Sequence, residues 1–257
     1  MQKLGQHFLK NEVIAAKIAQ QALSYNLPII EIGPGKGALT KHLLTAKRVV
    51  AIEMDKKLAQ SLPEAMGFPK NLEVIEGDAR EKLPELAQYI GRDFIVAANL
   101  PYYLTSYILR VISNLPQKPR CCVLLVQKEV AERVVGKQGQ NKLSAATSYW
   151  GKPSMLMSVP ARYFSPPPKV ESAVLVIDLK DKDEAVLGGA YFEAVRRLFK
   201  QPGKTIINNL KEGGLTKQAA EKMLEDIGIS GTIRPRQLTY ENICAIGRAL
   251  GESVDIS

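Results

Sequence analysis

A glycine-rich segment, Glu31-Ile32-Gly33-Pro34-Gly35-Lys36-Gly37, follows a short apolar run and precedes a helical pattern. Gly33 and Gly35 allow a tight turn and let a ligand approach bare backbone, and Gly37 lets the start of the helix pack near the sheet. Glu53 ends the next apolar run, where its carboxylate can accept hydrogen bonds from both hydroxyls of a ribose. The pattern predicts a nucleotide cofactor, and it fits a dinucleotide and S-adenosylmethionine equally well.

A further acidic residue separates these two alternatives. Gly77-Asp78-Ala79 follows the third apolar run. In methyltransferases a carboxylate at that strand end takes the exocyclic amine of an adenine ring, whereas dinucleotide enzymes need no acid there. Asp78 therefore favours S-adenosylmethionine, although Gly-Asp is also a common turn pair.

The segment Asn99-Leu100-Pro101-Tyr102 ends the fourth apolar run, where ligands bind in doubly wound sheets. An exocyclic adenine nitrogen is a weak nucleophile because its lone pair is delocalised into the ring. The Asn99 side-chain oxygen and the Leu100 carbonyl can hold its hydrogens and favour the tetrahedral nitrogen, while Tyr102 can stack on the base. Asn99 cannot ionise, so it positions the amine rather than acting as a general base. The alternative is an Asn-x-Pro turn that merely ends a strand.

Histidine and cysteine are scarce. His7 and His42 are the two histidines, and the three cysteines show no CxxC spacing. The sequence therefore predicts no metal site and no Ser-His-Asp triad, and it favours free thiols in a reducing cytoplasm. The apolar runs are far shorter than a membrane span, so we expect no membrane partner.

The elements that must position these residues are short apolar runs alternating with helical patterns. The runs cover residues 29–32, 49–52, 72–75, 94–98, 121–126, 155–159 and 170–177. Five are continuous, as expected of buried parallel strands, and predict a doubly wound α/β sheet. The last two are joined by a proline-rich loop too short for a crossover helix, which predicts an antiparallel pair at one edge.

After residue 180 the pattern becomes helical, at 191–201, 205–211, 216–227 and 239–250. We therefore expect a catalytic domain over residues 1–180 and a small all-α domain over residues 181–257. The chain has 35 basic and 26 acidic side chains and a net charge of +9. Residues 181–257 hold 11 of each, so the whole excess lies in residues 1–180 and favours a polyanionic partner such as nucleic acid.

Seven segments occur in order along the chain: 5–9 (GQHFL), 31–37 (EIGPGKG), Glu53, 77–79 (GDA), 99–102 (NLPY), 127–129 (QKE) and 164–172 (FSPPPKVES). Together they resemble the ribosomal RNA adenine N(6),N(6)-dimethyltransferases of the KsgA type, over residues 4 to about 178 and more loosely beyond. The resemblance implies a class I methyltransferase fold with a small helical domain. It also implies dimethylation of two adjacent adenosines near the 3′ end of small-subunit rRNA, with S-adenosylmethionine as donor.

The resemblance also implies residue roles. His7 and Leu9 line the cofactor site, as do the residues Gly33, Gly35, Glu53, Asp78, Ala79 and Asn99. Phe164 is implied as a second aromatic that sandwiches the flipped base against Tyr102, with a core aromatic as the alternative. Residues 127–129 border either the RNA entry or solvent. The implied partner is small-subunit rRNA, or a pre-assembled small subunit, bound by a monomer.

Two departures from the family concern RNA contacts. Residues 199–205 (FKQPGKT) are less basic than usual, and Asn141-Lys142 replaces an aromatic-glycine pair. Arg196, Arg197, Lys200 and Lys204 form either a phosphate-facing patch or a solvated helix face. The open alternatives are a large-subunit rRNA adenine methyltransferase, a non-catalytic ribosome-assembly factor and a dehydrogenase, for which the segment 99–102 would have no task.

Overall fold

The computed structural model describes residues 7–91, 93–180 and 188–252. Gly5 and Gln6 of the N-terminal motif and residues 181–184 of the expected boundary lie outside the described residues. The chain divides into two compact units, Met1–Ala131 with Pro153–Leu179, and Glu132–Lys152 with Lys180–Ser257. The division differs from the expected one because residues 132–152 belong to the second unit.

The first unit is built on a seven-stranded sheet in the order β4-β3-β2-β5-β6-β9-β7. Strands β2 to β6 are parallel, and β9 runs antiparallel to β6 and lies beside the edge strand β7. The doubly wound sheet with an antiparallel strand near one edge is thereby confirmed. The strands are β2 Ile29–Ile32, β3 Val49–Glu53, β4 Leu72–Glu76, β5 Ile95–Asn99, β6 Cys121–Gln127, β7 Gly151–Val159 and β9 Ser172–Leu179.

Helices precede β2 and connect the strands that follow it along the chain. Asn11, Asp55 and Asp78 cap three of them by accepting backbone N–H bonds, which explains where those helices begin. The helices are α1 Glu12–Leu23, α2 Thr40–Leu43, α3 Lys56–Ala65, α4 Ala79–Ile90, α5 Thr105–Asn114 and α6 Lys128–Val134.

Helix α2 begins later than the sequence predicts. Gly33, Gly35 and Gly37 have φ angles of 66°, 57° and 82°, so the glycine-rich segment cannot be helical. The close packing expected at Gly37 is against α3 rather than the sheet, because a Cβ there would lie 2.6 Å from Cε of Met66. The segment is therefore a turn, and its backbone is open at Gly33.

The strand order reverses between β2 and β5. Strand β2 pairs with β3 on one side and with β5 on the other, with Ile32 opposite both Ile52 and Ala98. The crossovers therefore leave in opposite directions from this point, and a crevice remains at the carboxyl ends of the two strands. Gly33 and Asn99 lie at the two sides of that crevice.

A two-stranded pairing missed by the sequence-based expectations joins the N-terminal segment to the proline-rich loop. Strand β1, Phe8–Leu9, pairs antiparallel with β8, Phe164–Ser165. The Lys10 N–H extends the pairing by donating to the Tyr163 carbonyl at 2.8 Å. Two segments more than 150 residues apart in the chain are thereby fixed beside each other.

The second unit is helical, with α7 Lys142–Trp150, α8 Gly188–Leu198, α9 Ile206–Glu212, α10 Lys217–Asp226 and α11 Tyr240–Glu252. The four helical patterns expected after residue 180 correspond to α8 to α11. Helix α7 joins them because the Tyr149 ring packs on Tyr191 and Phe192, with centroid distances of 4.8 Å in both pairs. The Tyr191 hydroxyl also donates to the Ala145 carbonyl at 2.8 Å. These aromatic contacts explain why residues 132–152 belong to this unit.

The basic residues of α8 and the following turn are paired within the second unit. Glu193 accepts bonds from Arg196 and Arg197, and Glu212 accepts from Lys204 at 2.6 Å. In the structure these side chains form ion pairs on a solvated helix face. Exposed ion pairs of this kind are weak, so they do not prevent the same side chains from binding phosphate.

Among the described residues, no helix is long and apolar enough to cross a membrane, and no group of His, Cys, Asp and Glu side chains is arranged to hold a metal ion.

Candidate active site

A cavity of about 360 Å³ opens at the crevice between β2 and β5. Its walls come from the N-terminal segment, the glycine-rich turn, the end of β3 and the turn after β5. It brings together eight of the predicted site residues: His7, Leu9, Gly33, Gly35, Glu53, Asn99, Leu100 and Tyr102. The size is that of an ordinary cofactor site.

Glu53 is fixed at the base of the glycine-rich turn. Its Oε2 accepts the Gly35 N–H at 3.0 Å and its Oε1 accepts the Asp55 N–H at 2.9 Å. The side chain is 3% exposed. Each carboxylate oxygen keeps a second lone pair, so Glu53 is oriented and still able to accept from the hydroxyls of a ribose.

The backbone of the turn is open at one glycine and covered at another. At Gly33 no atom lies within 4 Å of the position that a Cβ would take, whereas at Gly35 that position is 3.1 Å from Cε1 of Phe8. The Lys36 ammonium lies 5.5 Å from the centroid of the same Phe8 ring. Phe8 therefore packs on the turn and leaves the backbone at Gly33 free to meet a ligand.

Glu31 is a buried acid in the cavity wall, 1% exposed. Its Oε2 has no hydrogen-bond partner within the described part of the chain. Burial raises the pKa of this carboxyl from 4.5 to about 8, the nearby Thr40 hydroxyl opposes the rise, and the charge of Glu53 adds to it. A positively charged ligand beside Glu31 would favour the ionised form of this carboxyl, so the wall suits a cationic ligand.

The Asn99 side chain is oriented by the N-terminal segment. Its Nδ2 donates to the His7 carbonyl at 3.2 Å. With Nδ2 turned towards His7, the acceptor Oδ1 faces the other way. This oxygen has no hydrogen bond to the described residues. The Leu100 N–H donates to the Leu125 carbonyl at 3.1 Å, which fixes the turn on β6.

Tyr102 is held by its hydroxyl and by its ring. The hydroxyl is hydrogen bonded to the Ser172 hydroxyl at 2.8 Å, and the ring centroid lies 5.4 Å from that of His7 at an angle of 32°. His7 in turn is bonded through Nδ1 to the Pro166 carbonyl at 2.7 Å. Burial is the main cause that raises the pKa of the Tyr102 phenol, so the group stays neutral.

Asp78 and Ala79, the residues expected at the adenine ring, do not line this cavity. Asp78 caps α4 by accepting the Arg80 N–H at 2.8 Å and also accepts from Arg80 Nε at 2.7 Å. The Arg80 guanidinium accounts for most of the lowering of the Asp78 pKa. Ala79 is buried at the start of α4. Asp78 thus remains charged, and its adenine role stays a prediction.

Phe164 also lies outside the cavity lining. Its ring is 1% exposed and belongs to the hydrophobic core that contains Leu9 and Ile18. A ring enclosed by core side chains offers no free face to a base. The structure therefore favours the packing role of Phe164 over the expected sandwich with Tyr102.

The roles of three residues in the site were not predicted: Glu31 as a buried acid, Phe8 packed on the turn and Ser172 bonded to Tyr102. A charged residue inside the apolar run 29–32 is a signal that could have identified Glu31. Ser172 and Phe8 act through contacts between distant segments, for which one sequence carries no signal. At the predicted RNA border, Lys128 pairs with Glu171 at 2.7 Å.

The parallel sheet reverses its strand order at a glycine-rich turn, with a buried acid at the end of β3 and the NLPY segment at the end of β5, and this arrangement is that of a class I S-adenosylmethionine-dependent methyltransferase. The family model described as "Ribosomal RNA adenine dimethylase" matches residues 1–250. The chain belongs to this family. S-adenosylmethionine is therefore its methyl donor, as the cavity suggests.

Named relatives and solved structures agree with this family membership. The chain is 38% identical over 247 residues to "Ribosomal RNA small subunit methyltransferase A" of Dehalococcoides mccartyi (strain CBDB1), covering 93% of this chain and 84% of the relative. A dimethyladenosine transferase from Plasmodium falciparum superposes with a TM-score of 0.78 at 26% identity, covering 96% and 98%. The 23S rRNA methyltransferase ErmE superposes with a TM-score of 0.77 at 27% identity, covering 95% and 99%.

We expect Glu31 to make stability depend on pH in the ligand-free protein. Its pKa is about 8 when folded and near 4.5 when unfolded, so between these values the unfolded state loses its proton first. Stability therefore falls as pH rises from about 4.5 to 8, by about 1.4 kcal/mol per pKa unit at most, and then stays level. Unfolding of the wild type and Glu31→Gln from pH 5 to 8 measures this, and the variant should lack this loss. Parallel pH curves would contradict it.

Phe164→Leu and Tyr102→Leu form a matched pair that separates packing from stacking. Phe164→Leu should lower the free energy of unfolding by about 1.5 kcal/mol or less and leave the methylation rate per folded molecule unchanged. Tyr102→Leu removes a ring in the cavity wall, and we expect about a tenfold or greater loss of rate. Denaturant titration with single-turnover assays measures both. Equal loss of rate in the two variants would restore the stacking role of Phe164.

Proposed function

We propose that this protein transfers methyl groups from S-adenosylmethionine to the N6 atoms of adenosines in small-subunit ribosomal RNA, converting each to N6,N6-dimethyladenosine. The names of the relatives at 32–38% identity support the small-subunit substrate. By resemblance, the expected targets are two adjacent adenosines near the 3′ end of that RNA.

The observation that carries the proposal is the orientation of the Asn99 amide. Its Nδ2 is bonded to the His7 carbonyl, so Oδ1 is left to accept from the target amine. The Leu100 carbonyl is the second acceptor. Two acceptors that hold the two hydrogens of N6 favour a tetrahedral nitrogen, whose lone pair is then available for attack. The Tyr102 ring, held by Ser172, supplies a surface for the base.

Among the described residues, the two groups expected at the nitrogen are the Asn99 amide oxygen and the Leu100 carbonyl, and neither acts as a general base because neither is basic enough to take up a proton. None is needed for attack, since the N6 lone pair forms the new bond and the nitrogen becomes strongly acidic afterwards. Its proton then passes to water. The residues of this chain therefore position and polarise the amine rather than deprotonate it.

A neutral acceptor also explains how one site serves two successive methylations. The first substrate presents two N–H hydrogens and the second presents one. A site with two anionic anchors would leave one charge unpaired in the second reaction, whereas an amide oxygen loses only a neutral hydrogen bond. Asn99 is therefore suited to a dimethylating enzyme.

The cavity walls suit the cofactor. When bound, S-adenosylmethionine supplies a methyl group on a positively charged sulfur. Glu53 is oriented to accept from ribose hydroxyls, Gly33 leaves its backbone open, and Glu31 adds a carboxyl in the same wall. Because the cofactor carries a sulfonium and an ammonium group, the charge of Glu53 attracts it, and its binding would favour the ionised form of Glu31.

Large-subunit rRNA is the second candidate substrate, since ErmE superposes with a TM-score of 0.77. The higher identity to small-subunit enzymes, up to 38% against 27%, favours the small subunit. We further propose that the enzyme acts as a monomer in the cytoplasm on RNA or on a partly assembled subunit. Three buried free cysteines are compatible with a reducing compartment.

Primer extension on ribosomal RNA tests the substrate directly. Deleting the gene in its host should remove reverse-transcriptase stops at adjacent dimethyladenosines in small-subunit RNA and leave large-subunit RNA unchanged. Complementation with the wild-type gene should restore the stops, and Asn99→Ala should not, because loss of one preorganised polar group costs about 10²–10³-fold in rate. Stops that persist in the small subunit or vanish from the large subunit would overturn the proposal.

A further inference from the structure

Two tyrosines that follow the turn from Asn99 to Tyr102 are exposed to solvent. Tyr103 is 59% exposed and Tyr107 is 38% exposed, while Tyr102 between them and the cavity is half-buried. Helix α5 buries its other face through residues that include Ile108 and Leu109. Tyr107 and Arg110 are three residues apart on α5 and so lie on one side of it, and Tyr103 is in the 3-10 turn directly before the helix.

Two guanidinium groups are arranged around one of these rings. The Arg110 guanidinium carbon lies 4.8 Å from the Tyr107 ring centroid, and that of Arg80 lies 5.6 Å from it. Arg80 is in turn held by the carboxylate of Asp78. Tyr107, Arg110 and Arg80 are therefore ordered by their mutual contacts although they lie at the surface, and the exposed Tyr103 comes four residues before Tyr107.

The chemistry of this cluster matches single-stranded RNA. Bases stack on aromatic rings and on the planes of guanidinium groups, and guanidinium groups also bind phosphate. The net positive charge of residues 1–180 favours the same partner. Asp78 cancels only one of the two arginine charges at the cluster.

The position of the cluster follows from the turn. Tyr103 directly follows Tyr102, whose ring lines the cavity that must receive the target amine. A strand whose base enters this cavity carries its neighbouring nucleotides past the residues just beyond it. Tyr103 is the exposed aromatic that directly follows Tyr102, and Tyr107 and Arg110 come after it on α5.

We propose that Tyr103, Tyr107, Arg110 and Arg80 bind the nucleotides that flank the target adenosine, by stacking and by contact with phosphate. This proposal rests on the proposed function, since it assigns RNA contacts around the same cavity. Tyr103 offers an open ring for a base, and Tyr107 orients the two guanidinium groups.

A protein–RNA double-mutant cycle tests the proposal. The probes are short single-stranded RNAs with two adjacent adenosines, carrying either normal flanking nucleotides or an abasic residue on one side. We expect Tyr103→Ala to weaken binding of the normal RNA about five- to a hundredfold. The abasic residue on the contacted side should weaken wild-type binding similarly and have little further effect on the variant. Tyr103→Phe should bind as the wild type does, because the ring is retained.

Tyr89 provides a matched control. It is 71% exposed and carries the Arg48 guanidinium 5.2 Å from its ring. Arg48 directly precedes β3, so this pair lies at the amino ends of the parallel strands, whereas the turn from Asn99 to Tyr102 lies at their carboxyl ends. Tyr89→Ala should leave RNA affinity unchanged, and Arg110→Lys should weaken it because the guanidinium plane is lost. Calorimetry with S-adenosylmethionine checks that every variant retains the cofactor site.

The possible failures are distinguishable. If Tyr103→Ala and the abasic RNA act additively, or if Tyr103→Ala binds no worse than Tyr89→Ala, this proposal is overturned while the methylation of small-subunit RNA stands. If the wild-type enzyme leaves small-subunit RNA unmethylated in the primer-extension experiment, the proposed function fails first.

Discussion

The reversal of strand order between β2 and β5 is the constraint on which the site depends. Parallel strands present their carboxyl ends at one edge of the sheet, and the crossovers diverge where the order reverses. The glycine-rich turn after β2, Glu53 at the end of β3 and Asn99 at the end of β5 are therefore brought to one crevice by topology alone. The assembly of the site therefore does not depend on how far apart these residues are in the sequence.

A second constraint completes the site from outside the sheet. The pairing of β1 with β8 places His7 beside the end of β5, where its carbonyl accepts from Asn99 and its ring lies near Tyr102. An amide has a donor and an acceptor end, and only a fixed partner decides which end faces the substrate. The N-terminal segment thus contributes one backbone oxygen that sets the direction of the Asn99 amide.

The sheet and most of the site could be predicted from the sequence because their signals are local. Continuous apolar runs marked the parallel strands, of which the edge strand β4 is only partly buried, and the residues 33, 53 and 99 follow those runs directly. The pairing of β1 with β8 and the Tyr102–Ser172 bond could not be predicted, since they join segments far apart in the chain. The same reason explains Phe164: a loop aromatic beside prolines is compatible with stacking, and only its burial beside Leu9 and Ile18 shows the packing role. Residues 132–152 lie within the expected catalytic domain but cluster with the second unit, because the partners of Tyr149 on α7, Tyr191 and Phe192, come after the expected boundary.

The pH dependence of an Asn99→Asp variant tests the orientation of residue 99 most directly. At pH 8 the carboxylate cannot donate to the His7 carbonyl, and we expect a loss of about 10²–10³-fold in single-turnover rate with monomethyladenosine accumulating. A protonated carboxyl donates as the amide does, so the ratio of variant to wild-type rate should rise as the pH is lowered towards 5. A ratio that does not change with pH, together with the wild-type proportion of mono- to dimethyladenosine, would show that the bond to His7 does not orient residue 99 for catalysis.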